Sequence, residues 1–341
     1  MVEHAEPKER HAKMRDAEFW FRDGNIVLVA RDVDFRVYKG ILADQSPVFD
    51  DMFSFPQPAP FTPPRLELAS SSNTDACPFV HLSDSPEDLR HLLRVCMPKK
   101  GMFSPFQPPA DPSYASIAAA ARLGHKYQMT RLFEQALNYL KTHYTNDFEA
   151  WEKQNTYVPR GFADVEAIGV VNLARFLGET NLLTTALFAC CQLGSRQIIS
   201  GFAREDGTRE QLTLDDIGLC LDAKPRLVQE SVRVVLRVLR PIGSRSCTTA
   251  TPCRSGFRHL LEKVRVRVGE VAGTDPFLGL FNALGSDADG ELCRSCWLMA
   301  ENRDSVEKRA VWDRLPEILG LAKTGPGGDG SETQSEGTGA A

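Results

Sequence analysis

The sequence lacks the segments and motifs that would assign it to a membrane, a secretory route or a familiar enzyme class. No apolar run approaches the roughly 18 residues that a membrane-spanning helix needs, and the charged residues 1–18 lack the apolar core of a secretory signal. No phosphate-binding loop, dinucleotide-binding turn, serine nucleophile elbow or zinc-protease motif occurs, and no repeat of solenoid length is visible. The sequence therefore predicts a soluble intracellular protein, in the cytoplasm or nucleus, that is not an enzyme.

Histidine is scarce and scattered, which leaves little material for acid–base catalysis. Two of the seven histidines lie in candidate elements near Asp84 and Asp88. His81 falls in a candidate strand and His91 in a candidate helix, so either could approach Asp84 or Asp88. A histidine satisfied within the fold is the commoner case, so we assign no catalytic residue and no required cofactor.

Charge of one sign does not dominate the chain. Lysine and arginine total 40 against 45 aspartates and glutamates, for a net charge of −5, which argues against a protein that coats nucleic acid throughout. Residues 224–267 are a basic exception, and Arg233, Arg237 and Arg240 fall on one helix face there. The face could bind phosphate in a nucleic-acid or chromatin regulator. A solvated face of an amphipathic helix is favoured because aromatic residues do not alternate with the basic ones for base stacking. The inward side of that helix would then carry Val232, Val235, Leu236 and Leu239.

The cysteines are the sharpest chemical feature of the sequence. Nine cysteines, an odd number, indicate reduced thiols or metal ligands in preference to a disulfide framework. Cys293 and Cys296 form a two-spaced pair, and Cys247 and Cys253 form a looser pair in the Cys- and Ser-rich segment 243–255, which we predict to be a loop. Zinc in structural sites takes four such ligands. The sequence predicts that these four cysteines meet and hold one structural zinc.

Two other interpretations of these cysteines stay open at this point. The four residues could be bystander thiols, since the spacing of the looser pair exceeds the usual two to four residues. Redox chemistry is the least favoured interpretation because no βαβ pattern surrounds the two-spaced pair. Cys190 and Cys191 lie in an apolar helical segment, which indicates a place in the core and not in a metal site.

The first half of the chain combines a hairpin with capped helices. Residues 26–30 are apolar throughout and residues 33–37 alternate, which predicts a β-hairpin over 26–38. Ser46 followed by proline predicts a helix start, and residues 85–88 form a capping box before another helix. Two further helices up to residue 144 are expected to form a packed pair.

Beyond residue 144 the pattern becomes helical, with no further convincing strand. Predicted helices cover residues 165–177, 182–193, 227–239 and 257–268, and another begins at 213. We predict an α+β N-terminal domain followed by an all-helical region, divided into a charged arm (1–18), an interaction domain (19–144), a helical domain (145–322) and a disordered Gly/Ser-rich tail (323–341).

The order of elements over residues 19–144 resembles the BTB/POZ domain. Residues 23–28, Asp-Gly-Asn-Ile-Val-Leu, look like the opening aspartate and apolar strand of that family. Residues 35–49 look like its signature of strand, basic residue, Leu-Ala, serine and aromatic, with Tyr38 where the family usually has histidine. Residues 80–89 and 312–316 are similar to segments of fungal BTB proteins with a helical second half.

The resemblance implies a protein-interaction domain. Members are commonly homodimers, and many are adaptors that dock to a cullin-type ubiquitin ligase scaffold or to a transcriptional co-regulator. It also implies that Asp23, as a buried or semi-buried aspartate, and the basic Lys39 lie near the dimer groove. Spacing alone places Asp23 in a turn before the first strand. The expected partners are a second copy of the chain and other proteins, with client recognition by the helical half. A membrane is not an expected partner, and nucleic acid is not favoured as one.

Overall fold

A computed structural model describes residues 14–55, 77–98, 111–284 and 290–321, and these divide into two units. The first unit is Met1–Leu221 and the second is Asp222–Ala341. The division therefore falls well after the sequence-based boundary at residue 144. The predicted tail at 323–341 lies outside the described residues, as do the first thirteen residues of the predicted arm.

The first unit contains a four-stranded sheet in the order β1-β3-β2-β4. Its strands are β1 (Met14–Trp20), β2 (Ile26–Ala30), β3 (Val33–Val37) and β4 (Phe79–Leu82). The predicted hairpin is confirmed, because β2 and β3 pair antiparallel with Ala30 opposite Val33. Strands β1 and β4 join in parallel, β1 to β3 and β4 to β2.

Strand β1 corrects the prediction that residues 14–18 belong to a charged arm. Asp16 is buried, and its Oδ1 atom accepts hydrogen bonds from the backbone N–H groups of Glu18 and Phe19. Arg90 donates to Asp16 at 2.6 Å, and Arg94 donates to Glu18 at 2.7 Å. Charges that suggested solvent exposure are thus paired with arginines far along the chain.

Five helices lie in the described residues of the region expected to be the interaction domain. They are α1 (Lys39–Gln45), α2 (Pro47–Ser54), α3 (Pro86–Cys96), α4 (Tyr114–Lys126) and α5 (Thr130–His143). The predicted caps of α2 and α3 are confirmed, since Ser46 accepts from the N–H of Phe49 and Ser85 from that of Asp88. Helices α4 and α5 pack against each other as the predicted pair.

The first unit continues past residue 144 with more helices and one short hairpin. The elements are α6 (Phe148–Glu152), a 3-10 turn (Asp164–Glu166), α7 (Ala167–Leu177), α8 (Thr180–Gln192), α9 (Ser195–Ser200), β5 (Phe202–Ala203) and β6 (Arg209–Glu210). The small antiparallel pair β5-β6 corrects the expectation of an all-helical second half. Helix α7 packs on α4 and α8 on α5, so these helices extend the first unit.

One long helix replaces two predicted ones. Helix α10 (Leu214–Val238) runs through Pro225, whereas the sequence predicted separate helices beginning at 213 and 227. Thr213 begins it, with its hydroxyl accepting from the N–H of Asp216 at 3.1 Å. The proline removes one backbone donor, and the flanking turns nevertheless stay helical.

The second unit is built from helices around a small apolar core. After the end of α10 come α11 (Ala250–Val266), α12 (Val268–Val271), α13 (Leu280–Leu284), α14 (Arg294–Asp313) and α15 (Leu315–Ile318). Phe257, Leu260 and Ala300 are fully buried, and Lys308 pairs with Asp304 at 2.7 Å with both side chains largely buried. Among the described residues, no helix combines the length and apolar character needed to cross a bilayer.

Replacing Ser46 by alanine should destabilise the first unit more than the loss of a simple helix cap does. The Ser46 hydroxyl is buried and donates to the carbonyl of Tyr127 at 2.6 Å as well as capping α2. We expect Ser46→Ala to cost about 2–3 kcal/mol, because the buried carbonyl loses its donor. Equilibrium urea unfolding, with hydrogen exchange of first-unit peptides, measures this cost.

Ser113→Ala is the matched control. Ser113 is exposed and caps α4 through the N–H of Ser116 at 3.3 Å. Its removal should cost about 1 kcal/mol or less, since no buried group loses a partner. Equal costs for the two variants would contradict the role given to the bond between Ser46 and Tyr127.

Candidate interaction surface and metal centre

Asp23 and Lys39 lie on the surface of the first unit, and Tyr38, the residue before Lys39, contacts Asp23. Asp23 follows Phe21 in a tight turn, in which the N–H of Gly24 donates to the Phe21 carbonyl at 3.1 Å. The Tyr38 hydroxyl donates to Asp23 Oδ1 at 2.6 Å, and the backbone N–H of Lys39 donates to the side chain of Asn25 at 2.8 Å. Both charged side chains are exposed, so Asp23 is not the buried or semi-buried aspartate that the resemblance suggested.

Aromatic and apolar side chains surround this pair of charges. The rings of Phe21 and Tyr38 lie 5.0 Å apart, and Ile41 keeps 38% of its surface exposed. The hydrogen bond from Tyr38 lowers the pKa of Asp23, and it raises the pKa of the Tyr38 hydroxyl in turn. Asp23 therefore carries its charge at neutral pH. We call these five residues, Phe21, Asp23, Tyr38, Lys39 and Ile41, the Asp23 surface.

The second unit brings the four predicted zinc ligands together. The Sγ atoms of Cys247, Cys253, Cys293 and Cys296 all lie within 4.8 Å of one another. The Cys247 and Cys293 sulfurs are 3.8 Å apart. Cys253 and Cys296 are buried, whereas Cys247 and Cys293 are half-buried. The four cysteines that the sequence grouped therefore lie together, and we call them the four-cysteine cluster.

The local structure around the four-cysteine cluster differs from the prediction at one ligand. Cys253 lies in the first turn of α11, not in the loop predicted over residues 243–255. Cys293 immediately precedes α14 and Cys296 lies in its first turn. Cys247 alone stays in the connection between α10 and α11. Two helix N-termini and one loop thus supply the four sulfurs.

Backbone and side-chain donors point at the sulfurs. The N–H of Ser244 donates to Cys296 Sγ at 3.3 Å, and the N–H of Cys293 donates to Cys253 Sγ at 3.3 Å. The Thr249 hydroxyl lies 3.2 Å from Cys253 Sγ. Hydrogen bonds to sulfur favour the thiolate form, which is the form that binds metal.

Two cysteines of the cluster titrate in opposite directions. The pKa of Cys293 is lowered to about 6, chiefly by the backbone N–H of Cys296 and further by its neighbouring cysteines. The pKa of Cys296 is raised to about 12, chiefly because the buried thiolate loses hydration. A negative charge is therefore most readily formed at the half-buried edge of the cluster.

The other cysteines stay away from this cluster. Cys190 and Cys191 are fully buried in α8, which confirms their expected place in the core. Burial raises the pKa of Cys190 well above its usual range and that of Cys96 to about 12. Within the described part of the chain, they join no group of metal-ligating side chains.

Carboxylates pair with part of the predicted arginine strip in the basic segment 224–267. Arg233 pairs with Glu230, and Arg237 donates to Glu307 at 2.8 Å. Arg240, the third member of the predicted strip, is exposed. Two of the three arginines thus serve ion pairs within the second unit, which favours the interpretation as a solvated helix face.

The apolar side of that same helix segment is only partly buried. Val235 and Leu239 are buried, as the sequence predicted. Val232 and Leu236 were expected to face inward, yet 37% and 57% of their surfaces are exposed. The end of α10 therefore presents apolar side chains next to its paired arginines.

We predict that the full chain does not retain duplex DNA or RNA at about 50 mM salt, where phosphate contacts are strong. The reason is that Arg233 and Arg237 already have carboxylate partners. A filter-binding or gel-shift titration measures retention. Reversal of Arg233, Arg237 and Arg240 to glutamate should lower the stability of the second unit without changing retention. Salt-dependent retention that this triple variant abolishes would contradict the prediction.

Comparison with known families agrees with the geometry of the first unit. The family model of the BTB/POZ domain matches residues 21–144. The chain carries a BTB/POZ domain. No curated protein matches the chain at a significant level. The match covers β2 through α5, including the Asp23 surface, and ends where α6 and the following helices begin.

Among the described residues, His91 and the carboxylate of Asp84 have separate hydrogen-bond partners. His91 Nε2 lies 2.8 Å from Glu205. Asp84 instead accepts from Lys126 at 2.7 Å and from the Tyr127 hydroxyl. These carboxylates thus serve the packing of the domain.

A set of ion pairs that sequence reasoning missed fastens the hairpin β5-β6 to the BTB/POZ domain. Arg204 donates to Asp88 at 2.7 Å, and Asp88 also pairs with Arg122 at 3.3 Å. Arg31, in the turn between β2 and β3, pairs with Asp206 at 2.9 Å. The partners lie more than one hundred residues apart in two of these three pairs, so local sequence patterns could not have found those two.

Proposed function

We propose that this chain is a non-enzymatic interaction protein whose BTB/POZ domain self-associates through the Asp23 surface. The BTB/POZ domain is a protein–protein interaction module. The observation that carries the proposal is the exposed pair of opposite charges, Asp23 and Lys39, flanked by the rings of Phe21 and Tyr38. Interface cores are enriched in aromatic side chains, and charged residues beside them set the register.

Opposite charges on one patch suit a symmetric dimer. In a twofold dimer the same surface patch of each copy forms the interface. An acidic residue in that patch can then face the basic residue of the other copy, and the basic residue can face the other copy's acidic residue. The hydrogen bond from Tyr38 holds Asp23 in its charged form and orients it toward solvent.

The second unit is the proposed site of client recognition. It exposes large apolar side chains, among them Leu236 at 57%, Val266 at 82% and Val306 at 57% of their surfaces. Scattered apolar residues are ordinary on a surface, but Val232 and Leu236 stand one turn apart on α10. A pair of this kind suits an apolar contact with another protein.

Self-association has a direct measurement. Light scattering of the full chain at micromolar concentration should give twice the monomer mass of 37.8 kDa. Asp23→Lys should weaken the dimer about tenfold or more, because like charges then meet across the symmetric interface. Glu134→Lys, an equal charge change on the exposed face of α5, should leave the dimer unchanged.

This test must distinguish loss of the dimer from loss of the folded domain. Phe49 is fully buried and stacks on Tyr127 at a centroid distance of 4.2 Å. Phe49→Asp should therefore abolish the folded domain, since a buried unpaired carboxylate costs several kcal/mol. A well-folded monomer, for the parent chain at every concentration, would refute self-association and leave the fold intact.

Adaptor docking is the second part of the proposed role. The resemblance implies a cullin-type ubiquitin ligase scaffold, and titration of the full chain with such a purified scaffold by calorimetry tests it directly. Clients bound by the second unit should be lost from affinity purifications of Leu236→Lys and kept by Asp23→Lys. Partners that depend on the BTB/POZ dimer should show the reverse dependence.

A further inference from the structure

We infer that Cys247, Cys253, Cys293 and Cys296 hold one zinc ion in a closed site of four thiolates that ties the loop after α10 to the N-termini of α11 and α14. This inference goes beyond the interaction role, because it concerns what holds the second unit together. It rests on the positions of sulfur atoms and hydrogen-bond donors around them.

The distances between the sulfurs suit a tetrahedral ion. Zinc–sulfur bonds of about 2.3 Å in tetrahedral geometry separate neighbouring sulfurs by about 3.8 Å. The Cys247 and Cys293 sulfurs lie 3.8 Å apart, and no pair in the cluster exceeds 4.8 Å. A disulfide needs a separation of about 2.05 Å, so the arrangement is one of ligands and not of a crosslink.

The donors around the cluster are those that a thiolate requires. The backbone N–H groups of Ser244 and Cys293 donate to the sulfurs of Cys296 and Cys253. Cys253 and Cys296 each lie in the first turn of a long helix, where the positive end of the helix dipole favours negative charge.

One arginine can offset part of the charge that the site would carry. Four thiolates and one divalent cation sum to a charge of about −2. Arg303 lies close enough to Cys296 for the two groups to interact electrostatically, and it donates to the carbonyls of Arg240 and Ile242. Arg303 thus positions the loop that carries Cys247.

The chemistry of the ligands selects the metal and its role. Soft thiolate ligands in tetrahedral geometry favour zinc or iron among the common metals, and zinc is the usual ion in closed structural sites of four cysteines. All four positions are filled by protein, so no site is left for a water or substrate. The ion would be structural and would contribute its binding energy to folding of the second unit.

Metal content of the full chain tests the inference directly. Protein purified without added metal should contain about one zinc per chain by elemental analysis. Replacement of the ion by cobalt should give the intense near-ultraviolet charge-transfer band and the visible bands of a four-thiolate tetrahedral site. These readouts do not depend on dimer formation, so they separate this inference from the proposed function.

Variants show which cysteines carry the metal. The double variant Cys293→Ser/Cys296→Ser should lose the zinc and unfold the second unit at lower temperature. Cys77→Ser, a half-buried cysteine of the first unit, is the matched control and should keep full zinc content. Cys247→His should keep the ion with a shifted cobalt spectrum, since imidazole can replace one thiolate.

Three results would overturn the inference. The first is less than about a tenth of an equivalent of zinc in the parent chain, since structural zinc sites bind tightly enough to keep their ion during purification. The second is iron in place of zinc. The third is loss of zinc from Cys77→Ser to the same extent as from the double variant. Because the parent chain alone decides the first two, misfolding of a variant cannot obscure the outcome.

Discussion

The BTB/POZ domain depends on the hydroxyl group of Ser46, which makes two hydrogen bonds from one buried position. It accepts from the N–H of Phe49 and so begins α2, and it donates to the carbonyl of Tyr127 at the end of α4. The Tyr127 ring stacks on Phe49, and its hydroxyl reaches Asp84 before α3. The same hydroxyl group therefore caps α2 and fixes the end of α4 against it. The cap and the packing of the helices are coupled, so the loss of one weakens the other.

The sequence predicted features that depend on residues close together in the chain, and it missed features that depend on residues far apart. The hairpin over residues 26–38 and the caps at Ser46 and Ser85 were predicted because each depends on residues a few positions apart. Strand β1 was missed because Asp16 suggested solvent. Its charge is instead paired with Arg90, 74 residues away in sequence, and such a partner leaves no local signal.

At the candidate sites too, some features followed from the local sequence and others did not. The four-cysteine cluster was predicted from spacing, since a two-spaced pair places two sulfurs in one turn and a second, looser pair lies within reach of it along the chain. That Cys253 stands on a helix was not visible, because residues 243–255 are rich in serine and threonine. The placing of Asp23 and Lys39 came from family resemblance, and the residue that departs from the family, Tyr38, proves to be the hydrogen-bond partner of Asp23.

Different interactions offset the loss of conformational entropy on folding in the two units. The first buries a large apolar core and fixes it with polar groups such as Ser46 and Asp16, whose partners lie within the same core. In the second, the apolar core is smaller, and the connection from α10 to α11 is held by Arg303 and the four-cysteine cluster. Zinc bound there would fix the end of α10 on which Leu236 is exposed. Client binding at the end of α10 would then depend on zinc binding, because the client could bind that surface only while the helix is held in place.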